Sequence, residues 1–187
     1  KSTLIDILLG LIDPQLGQLK VDGKIINDQN RRRWQNTIGF VAQSIFLSEG
    51  TIAENVAFGI PQDQIDLDQV QHVLKLSHLS DLVQSLEKGM HTKVGERGVR
   101  LSGGQRQRVG IARALYHEAE VLVFDEATSS LDYETELEIV DEIKFLKGKT
   151  TLIVIAHRLS TLKHCDKIYK IENGSIVGSG SYNEMIK

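Results

Sequence analysis

Cysteine and proline are scarce in this chain of 187 residues, which contains one cysteine and two prolines. A single thiol, Cys165, excludes an intrachain disulfide framework and fits a reducing compartment. Pro14 and Pro61 each follow an apolar segment, so they mark turns and do not form a proline-rich linker. The sequence must therefore be stabilised by a hydrophobic core, which a single domain of this length can bury.

A strong net charge and long apolar runs are also missing. The net charge of −3 argues against a protein that binds nucleic acid through phosphate contacts, so we expect no nucleic-acid partner. The basic run at residues 31–33 is interpreted as a solvated loop. The sequence shows no signal-peptide pattern and no apolar stretch long enough to span a bilayer. We therefore expect any membrane connection to come from another segment or another chain.

The first half of the chain combines short strands with helices. Apolar spacing and a following glycine predict a helix over residues 2–10, and a hairpin turn is predicted at residues 22–23. An apolar strand is predicted over residues 37–42. From about residue 50 to residue 115 the apolar spacing is mainly helical, and it opens at Thr51 with a capping-box pattern.

Strands and helices alternate again in the second half. A strand predicted at residues 121–124 precedes an amphipathic helix at residues 134–147. Residues 150–156 form a β-branched run typical of buried parallel strands. A last hairpin is predicted around the turn at residues 172–174.

This alternation predicts an α/β fold with a doubly wound, mainly parallel sheet, an antiparallel β edge and an inserted helical subdomain. We expect one domain over residues 1–187, with an α/β core at residues 1–48 and 116–187 and the helical subdomain at residues 49–115. In open sheets of this kind, ligands bind at the carboxyl ends of the strands.

Three of the predicted strands end in polar side chains at that edge. Gln43 follows the first strand, Asp125 and Glu126 follow the second, and His157 follows the third. Asp125 suits Mg²⁺, which binds through one or two carboxylates together with substrate phosphates. Glu126 points away from Asp125 on an extended chain, so it is placed to polarise a water molecule. Solvated acids and a hydrogen-bonded structural histidine are the alternative interpretations, and the shared edge favours the catalytic one.

A glycine-containing segment later in the chain suits phosphate. Ser102, Gly103, Gly104 and Gln105 precede a helix predicted over residues 106–116. Two glycines leave backbone N–H groups unobstructed, and the helix dipole adds partial positive charge, so an anion can bind there. Taken alone, the segment would equally be a flexible loop before a helix.

The first three residues suit a triphosphate and its metal. Lys1 is a compact charge for the β- and γ-phosphates, and the Ser2 hydroxyl is a ligand for Mg²⁺. Taken alone, Lys1, Ser2 and Thr3 would be a frayed end. The Asp125–Glu126 pair downstream strengthens the interpretation that these three residues bind phosphate and metal.

In their order, these motifs resemble the nucleotide-binding domain of ATP-binding cassette (ABC) transporters, and within them the exporters, over essentially the whole chain. The resemblance implies a P-loop NTPase-like fold. Each family motif has a similar segment here: Lys1, Ser2 and Thr3 for the end of Walker A, Gln43 for the Q-loop, residues 101–105 for the signature, residues 121–125 for Walker B, Glu126 for the catalytic glutamate, residues 129–132 for the D-loop, and His157 for the switch histidine. Residues 50–55 and 92–98 resemble stretches typical of exporters, which in that family lie near the surface that meets the membrane domain.

The resemblance also implies partners and residue roles. ATP and Mg²⁺ would be bound in a head-to-tail dimer with a second nucleotide-binding domain. The transmembrane domain of the transporter would be the other partner, and this nucleotide-binding domain would lie at the cytoplasmic face of the inner membrane as part of an integral membrane protein. Glu126 would orient or deprotonate water, and His157 would contact the γ-phosphate. Ser2, Gln43 and Asp125 would hold the metal. The remaining nucleotide-binding residues would be Lys1, Thr3, Ser102, Gly103, Gly104, Gln105 and Asp132.

Parts of the family pattern are missing. The glycine loop ahead of Lys1, the strand leading into it and the aromatic residue that stacks on adenine are absent from the sequence. Trp34 stands where the family usually has an aliphatic residue, so we expect it to be buried and not stacked on adenine. These 187 residues alone are expected to bind ATP poorly, to expose apolar sheet surface and to be weak or inactive. Ser130 replaces the usual D-loop alanine, a change we expect to be tolerated.

Importer ATPases, soluble ABC ATPases and a cassette that binds nucleotide without hydrolysing it are the alternative classes. The interval from Gln43 to Leu101 has no room for the coiled coils of DNA-organising members. The exporter-type stretches and the intact Glu126 and His157 favour a hydrolysing exporter. Export or flipping of a substrate across a membrane is therefore the expected function. Residues 158–163 and 180–184 resemble exporters of lipid-linked sugars or polysaccharides, which makes such a molecule one candidate cargo, with lipids, peptides and drugs as open alternatives.

Overall fold

The computed structural model describes residues 2–125, 150–155, 162–163 and 165–185. The described residues form two compact units, one within residues 1–38 and 156–187 and the other within residues 39–155. The amphipathic helix expected at residues 134–147 lies outside the described residues. The division into an α/β core and a helical subdomain, at 48/49 and 115/116, stays a prediction.

Helices and short strands make up the described part of the chain. In chain order the helices are α1 (Ser2–Leu8), α2 (Arg31–Gln35), α3 (Ile52–Val56), α4 (Leu67–Leu76), α5 (Ser80–Ser85), α6 (Gly103–Tyr116) and α7 (Tyr182–Met185). The strands are β1 (Lys20–Val21), β2 (Lys24–Ile25), β3 (Ile38–Val41), β4 (Val121–Asp125), β5 (Thr151–Ile155), β6 (Ile168–Glu172) and β7 (Ser175–Gly180). Short 3-10 helices lie at Gln62–Gln64, Gly89–His91 and Glu96–Gly98.

Both predicted hairpins are present in the first unit. β1 and β2 pair antiparallel across Asp22 and Gly23, whose φ angles of 47° and 77° lie in the left-handed region that a tight hairpin turn requires. β6 and β7 pair antiparallel across Asn173 and Gly174, with φ angles of 49° and 79°. Each turn therefore uses an Asp or Asn followed by Gly, the pair that tolerates this conformation best.

The C-terminal end of α1 is capped by side chains from α2. The Trp34 indole Nε1 donates to the Leu8 carbonyl at 2.7 Å, and the Gln35 amide donates to the Gly10 carbonyl at 3.1 Å. Gly10 adopts a φ of 67°, as is usual where a helix terminates. Trp34 is half-buried in this arrangement, so its indole is engaged in the fold and not presented as a free stacking surface.

The basic run at residues 31–33 is not a loop, as expected above, but the start of α2. Arg31 is half-buried, and its guanidinium forms ion pairs with Asp13 and with Asp28, the latter at 2.9 Å. Arg32 and Arg33 are exposed, so the prediction that the basic run is solvated is confirmed for these two residues and not for Arg31. The sequence shows three equivalent charges, whereas the fold gives one of them two carboxylate partners.

A three-stranded sheet in the order β3-β4-β5 and the helices α3 to α6 make up the second unit. β4 and β5 run parallel with Val121 opposite Thr151 and Asp125 opposite Ile155. Leu122, Val123 and Phe124 are buried, which is why an uninterrupted apolar run precedes Asp125. The strands predicted at residues 37–42, 121–124 and 150–156 are confirmed to within one residue at each end.

β5 is parallel as predicted, but it is not the buried strand that its β-branched composition indicates. Thr151 and Leu152 are exposed, and the next three residues are half-buried. In the part of the chain that the structure describes, β4 is its one strand neighbour. Leu152 and Phe40, at 40% and 39% exposure, leave apolar sheet surface open, as expected.

The helices pack on one another through a continuous apolar core in the second unit. α6 lies against both α3 and α4, and the buried side chains that join them include Ile52, Val56, Val70, Val73, Val109 and Ile111. This confirms the helical character predicted for residues 50–115. The apolar spacing of α4 places Val70, Val73 and Leu74 on its buried face.

The predicted capping box opens α3. The Thr51 hydroxyl accepts from the Glu54 N–H at 3.1 Å, and the Thr51 N–H donates to the Glu54 carboxylate at 2.6 Å. The hydrogen bond from the Thr51 N–H to the carboxylate, and then the Thr51 side chain, hold the pKa of Glu54 below its ordinary value. Replacing Thr51 by Ala is expected to lower the free energy of unfolding by about 1 kcal/mol, measured by urea denaturation at neutral pH.

Thr51→Ser is the control, because serine keeps the capping oxygen and should stay close to wild type. A lowered folded-state pKa means that the stability contributed by the Glu54 carboxylate is present above the unfolded pKa and disappears as pH falls through the folded one. Acid should therefore destabilise both variants as well as wild type, because the Thr51 N–H, the larger cause of the lowered pKa, is kept in each. Equal losses for Ala and Ser at neutral pH would contradict the capping account.

Candidate nucleotide site

Asp125 stands at the carboxyl edge of the parallel pair. It is the last residue of β4, it is half-buried, and it pairs in register with Ile155, the last residue of β5. Because β4 and β5 are parallel, Asp125 and Ile155 mark the same edge of the sheet. Glu126 follows Asp125 directly and His157 comes two residues after Ile155, and both lie outside the described residues.

Gln43 follows the neighbouring strand. It comes two residues after Val41, where β3 ends, and its side chain is exposed. The sheet order places β3 beside β4, the strand that carries Asp125. The structure thus places an exposed amide just after β3 and a half-buried carboxylate at the end of the adjacent β4, and their joint role in a site stays a prediction.

The glycine-containing segment is part of α6 and not a loop ahead of it. The helix begins at Gly103, three residues earlier than predicted, with Ser102 as its N-cap. The Ser102 hydroxyl accepts from the Gln105 N–H at 3.2 Å, and the Ser102 N–H donates to the Gln105 side chain at 2.8 Å. This second capping box is the physical reason for the early start, because it satisfies the helix end that two glycines would otherwise weaken.

An anion could still bind at this helix end. Gly103 and Gly104 occupy the first turn, where backbone N–H groups have no intrahelical acceptor. The Ser102 hydroxyl accepts in the capping box, so its own proton remains to be donated. Ser102 and Gly103 are exposed, and α6 is 14 residues long, so its dipole favours negative charge at this end.

The predicted phosphate residues at the start of the chain lie in the first unit. Ser2 and Thr3 open α1, and both are exposed. Lys1 and Asp132, like Glu126 and His157, lie outside the described residues. The roles of all these residues stay predictions.

The donor atoms that the structure does describe fit Mg²⁺. Gln43 and Asp125 offer an amide oxygen and a carboxylate, and hard cations prefer oxygen ligands. Among the described residues, no group of three His, Cys, Asp or Glu side chains is arranged to hold a metal ion. The donor set therefore suits an ion that keeps most of its ligands from water and phosphate, which is typical of Mg²⁺.

The two exporter-type stretches meet in the fold. Thr51 and Lys93 form an isolated antiparallel bridge, the Ile52 N–H donates to the Thr92 carbonyl, and the Val94 N–H donates to the Gly50 carbonyl, both at 3.1 Å. The family resemblance implies that both stretches lie near the surface that meets the membrane domain, but it does not predict that they pair. The signal was weak because the two segments lie about forty residues apart and neither forms a regular strand.

A groove runs beside this pair. It has a volume of about 640 Å³ and is lined by Ser44, Ile45, Phe46, Glu96, Arg97, Val99 and Arg106. Phe46 and Val99 are 62% and 75% exposed. The groove therefore combines two solvent-exposed apolar side chains with the charged side chains of Glu96, Arg97 and Arg106. Exposed apolar residues with a charged rim are typical of a surface that binds another protein segment.

Comparison with known proteins identifies the family. A model of the ABC transporter family matches residues 1–129. A multidrug resistance ABC transporter ATP-binding and permease protein of Lactococcus lactis is 44% identical over 187 residues, which are 100% of this chain and 31% of that protein. An ATP-dependent lipid A-core flippase of Burkholderia pseudomallei is 44% identical over 188 aligned positions, with the same coverage of 100% and 31%.

A solved structure agrees with these relatives. A bacterial Atm1-family ABC exporter with ATP bound superposes with a TM-score of 0.92 at 36% identity, covering 100% of this chain and 32% of the exporter. The mixed α/β architecture predicted from sequence is thereby confirmed. The chain belongs to the ABC transporter family, and it is a nucleotide-binding domain of the exporter type. It spans about a third of the length of the relatives it matches.

Proposed function

We propose that this chain binds ATP with Mg²⁺ and hydrolyses it to power export or flipping of a substrate across a membrane. The observation that carries the proposal is the sheet edge, where Asp125 ends β4 in register with the end of β5 and Gln43 follows the adjacent β3. The exporter relatives support the same direction of transport. An importer or a soluble ABC ATPase is the alternative, and the pairing of the two exporter-type stretches favours the exporter.

The proposed roles divide between holding the metal and activating water. Ser2, Gln43 and Asp125 would hold Mg²⁺, which when bound neutralises phosphate charge and favours in-line attack. Glu126 would orient the attacking water or take its proton, and His157 would contact the γ-phosphate. Positioning and electrostatics supply most of the catalysis in such reactions, so the proposal requires these groups to act together on one phosphate–metal site.

The remaining predicted residues would bind the nucleotide. Lys1 and Thr3 would contact its phosphates within the same domain, and the α6 N-terminus with Ser102, Gly103, Gly104 and Gln105 would meet the nucleotide of a second domain in a head-to-tail dimer. Asp132 would organise that dimer interface. The exposed Ser102 hydroxyl and the first-turn N–H groups of α6 support this role.

The second proposed partner is a transmembrane domain. Within the described residues, no helix is long and apolar enough to cross a bilayer. The groove with Phe46 and Val99 lies beside the paired exporter-type stretches, and we place the transmembrane partner's cytoplasmic segment there. The site of action would be the cytoplasmic face of the inner membrane.

The proposed cargo is a lipid-linked sugar or polysaccharide. Relatives named as lipid A-core flippases, at 39–44% identity, support a glycolipid substrate. A relative named for multidrug resistance, at 44% identity, makes an amphipathic drug the second candidate. Both are large amphipathic molecules. Transmembrane residues outside this chain would determine which of the two kinds of molecule is transported.

Replacing Asp125 by Asn tests the metal role directly. Asparagine keeps the shape and one oxygen donor but removes the negative charge. We expect the Mg²⁺ concentration that half-saturates ATP hydrolysis to rise at least about tenfold, because an attraction between charges at close range is lost. The measurement is a Mg²⁺ titration of phosphate release in the native-length protein, meaning the polypeptide as the cell makes it.

Asp81→Asn is the matched control, since Asp81 is an exposed carboxylate in the first turn of α5. It should leave the Mg²⁺ titration unchanged. An unchanged titration in Asp125→Asn, or no ATP hydrolysis by the wild-type protein, would refute the proposed function.

A further inference from the structure

The segment that carries Gln43 is held along one face of α6. We name residues 42–48 the Gln43 loop. Three residues of α6 at a spacing of three, Gln107, Gly110 and Arg113, contact it in succession. Residues spaced by three lie on one side of a helix, so the contacts form a single line.

The first two contacts are a hydrogen bond and a close packing contact. The Gln107 side chain is 3% exposed, and its amide donates to the Ala42 carbonyl at 3.3 Å. Ile45 lies directly over Gly110, where a Cβ atom would come within 2.4 Å of the Ile45 Cδ1 atom. Gly110 is therefore required by the close approach of the loop to the helix.

The third contact is made by Arg113, whose guanidinium has several partners. The Arg113 guanidinium donates through Nη1 to the Phe46 carbonyl at 3.0 Å and through Nε to the Asn55 carbonyl at 2.8 Å. Its Nη2 atom lies 3.3 Å from the Asn55 Oδ1 atom. It also stands 4.7 Å from the centre of the Phe58 ring, in a cation–π contact.

Asn55, which contacts Arg113, is also hydrogen-bonded to the last residue of the Gln43 loop. Its side chain is fully buried, and its Oδ1 atom accepts from the Ser48 N–H at 2.9 Å. Its amide donates to the Ser48 carbonyl at 3.1 Å and to the Thr51 carbonyl at 3.0 Å. The end of the Gln43 loop, the start of α3 and the last turn of α6 are thus joined through two side chains.

The chemistry of this junction needs arginine. Burial lowers the pKa of the Arg113 guanidinium, so its environment opposes charge, yet arginine stays protonated. Its planar fork meets carbonyls of two segments at once. A lysine ammonium is a point charge that cannot match that geometry. The guanidinium donates to the Phe46 backbone carbonyl in the loop and to the Asn55 backbone carbonyl in α3, so it fixes the path of the loop backbone relative to α3.

We propose that Arg113 is a positioning residue for Gln43, and that through it α6 carries the Gln43 loop and the Ser102 end of the helix as one rigid piece. The inference rests on the proposed function, in which Gln43 contacts the bound metal. Its consequence is that Gln43 and Ser102 move together, because both are fixed to the same helix.

The test compares Arg113→Lys with Arg108→Lys in the native-length protein. Arg108 lies on the same helix and donates to the His78 carbonyl at 2.9 Å, away from the Gln43 loop. We expect Arg113→Lys to lower kcat for ATP hydrolysis about tenfold with KM for ATP unchanged within about twofold, since geometry is lost and not nucleotide contact. Arg108→Lys should leave both values near wild type.

A double-mutant cycle separates positioning from general destabilisation. In a Gln43→Ala background, Arg113→Lys should lower kcat by less than about twofold, because the residue it positions is gone. A further tenfold loss in that background would overturn the inference while leaving the proposed function intact. If Gln43→Ala alone leaves kcat unchanged, the proposed role of Gln43 fails, and this inference fails with it.

Hydrogen exchange gives a readout that does not depend on activity. Amides of residues 42–48 should exchange faster in Arg113→Lys than in Arg108→Lys, while those of β4 stay unchanged. Equal exchange in the two variants would count against Arg113. Should Arg113→Lys fail to fold, Gly110→Ala replaces it, because it displaces Ile45 from the same line of contacts. Its kcat should fall, and adding Ile45→Ala should restore at least half of the loss; no recovery would refute the positioning role of α6.

Discussion

Replacing Glu126 by Gln is expected to lower the rate of ATP hydrolysis about a thousandfold while ATP still binds with nearly wild-type affinity. Glutamine has the shape of glutamate but cannot take a proton, and removing a general base typically costs 10²–10⁴-fold in rate, roughly. Glu126 follows Asp125, which the structure places at the end of β4 in register with the end of β5. The measurements are phosphate release and calorimetric ATP binding in the native-length protein.

Glu120→Gln is the matched control for this experiment. Glu120 is exposed and immediately precedes β4, so it lies at the opposite end of the same strand. The same chemical change there should leave the rate of hydrolysis at the wild-type level. If Glu126→Gln hydrolyses ATP at an undiminished rate, Glu126 is not the base. Loss of both binding and hydrolysis would instead indicate that the change disturbed the fold or the nucleotide site.

Features fixed by short stretches of sequence were predicted well. The capping box at Thr51 depends on two side chains three residues apart, and the hairpin turn at Asp22 and Gly23 depends on two neighbouring residues that tolerate positive φ. The end of β4 was also predictable, because a buried strand must be apolar up to the edge where Asp125 appears. In each case the cause lies within a few residues of the effect.

Features that depend on contacts between distant residues could not be predicted in the same way. Nothing near Arg31 in the sequence indicates that Asp13 will be its partner, and nothing near Arg113 points to the Phe46 carbonyl. The start of α6 was misplaced for a different reason. Two glycines reduce helix propensity, and the prediction did not weigh the cap that Ser102 and Gln105 form across them.

The largest expected effect on stability comes from Gly39→Ala. Gly39 is buried in β3, where a Cβ atom would lie 2.7 Å from the Ala114 carbonyl oxygen and 2.7 Å from the Leu122 Cδ2 atom. Overpacking of this kind costs roughly 1–3 kcal/mol, and a clash with backbone belongs at the upper end. We expect the free energy of unfolding, measured by urea denaturation, to fall by about 3 kcal/mol.

Gly178→Ala in β7 is the control, because the nearest atoms to its Cβ position belong to Met185, at 3.6 and 3.9 Å. That substitution should change the free energy of unfolding by less than about 0.5 kcal/mol. Because one of the two clashing atoms at Gly39 is the backbone carbonyl oxygen of Ala114, a double mutant gives a second prediction. Adding Leu122→Val to Gly39→Ala removes only the side-chain clash, so it should recover little of the lost stability while the Ala114 carbonyl stays in place. Full recovery would show that the limit at Gly39 is set by Leu122 and not by the approach of β3 to the end of α6.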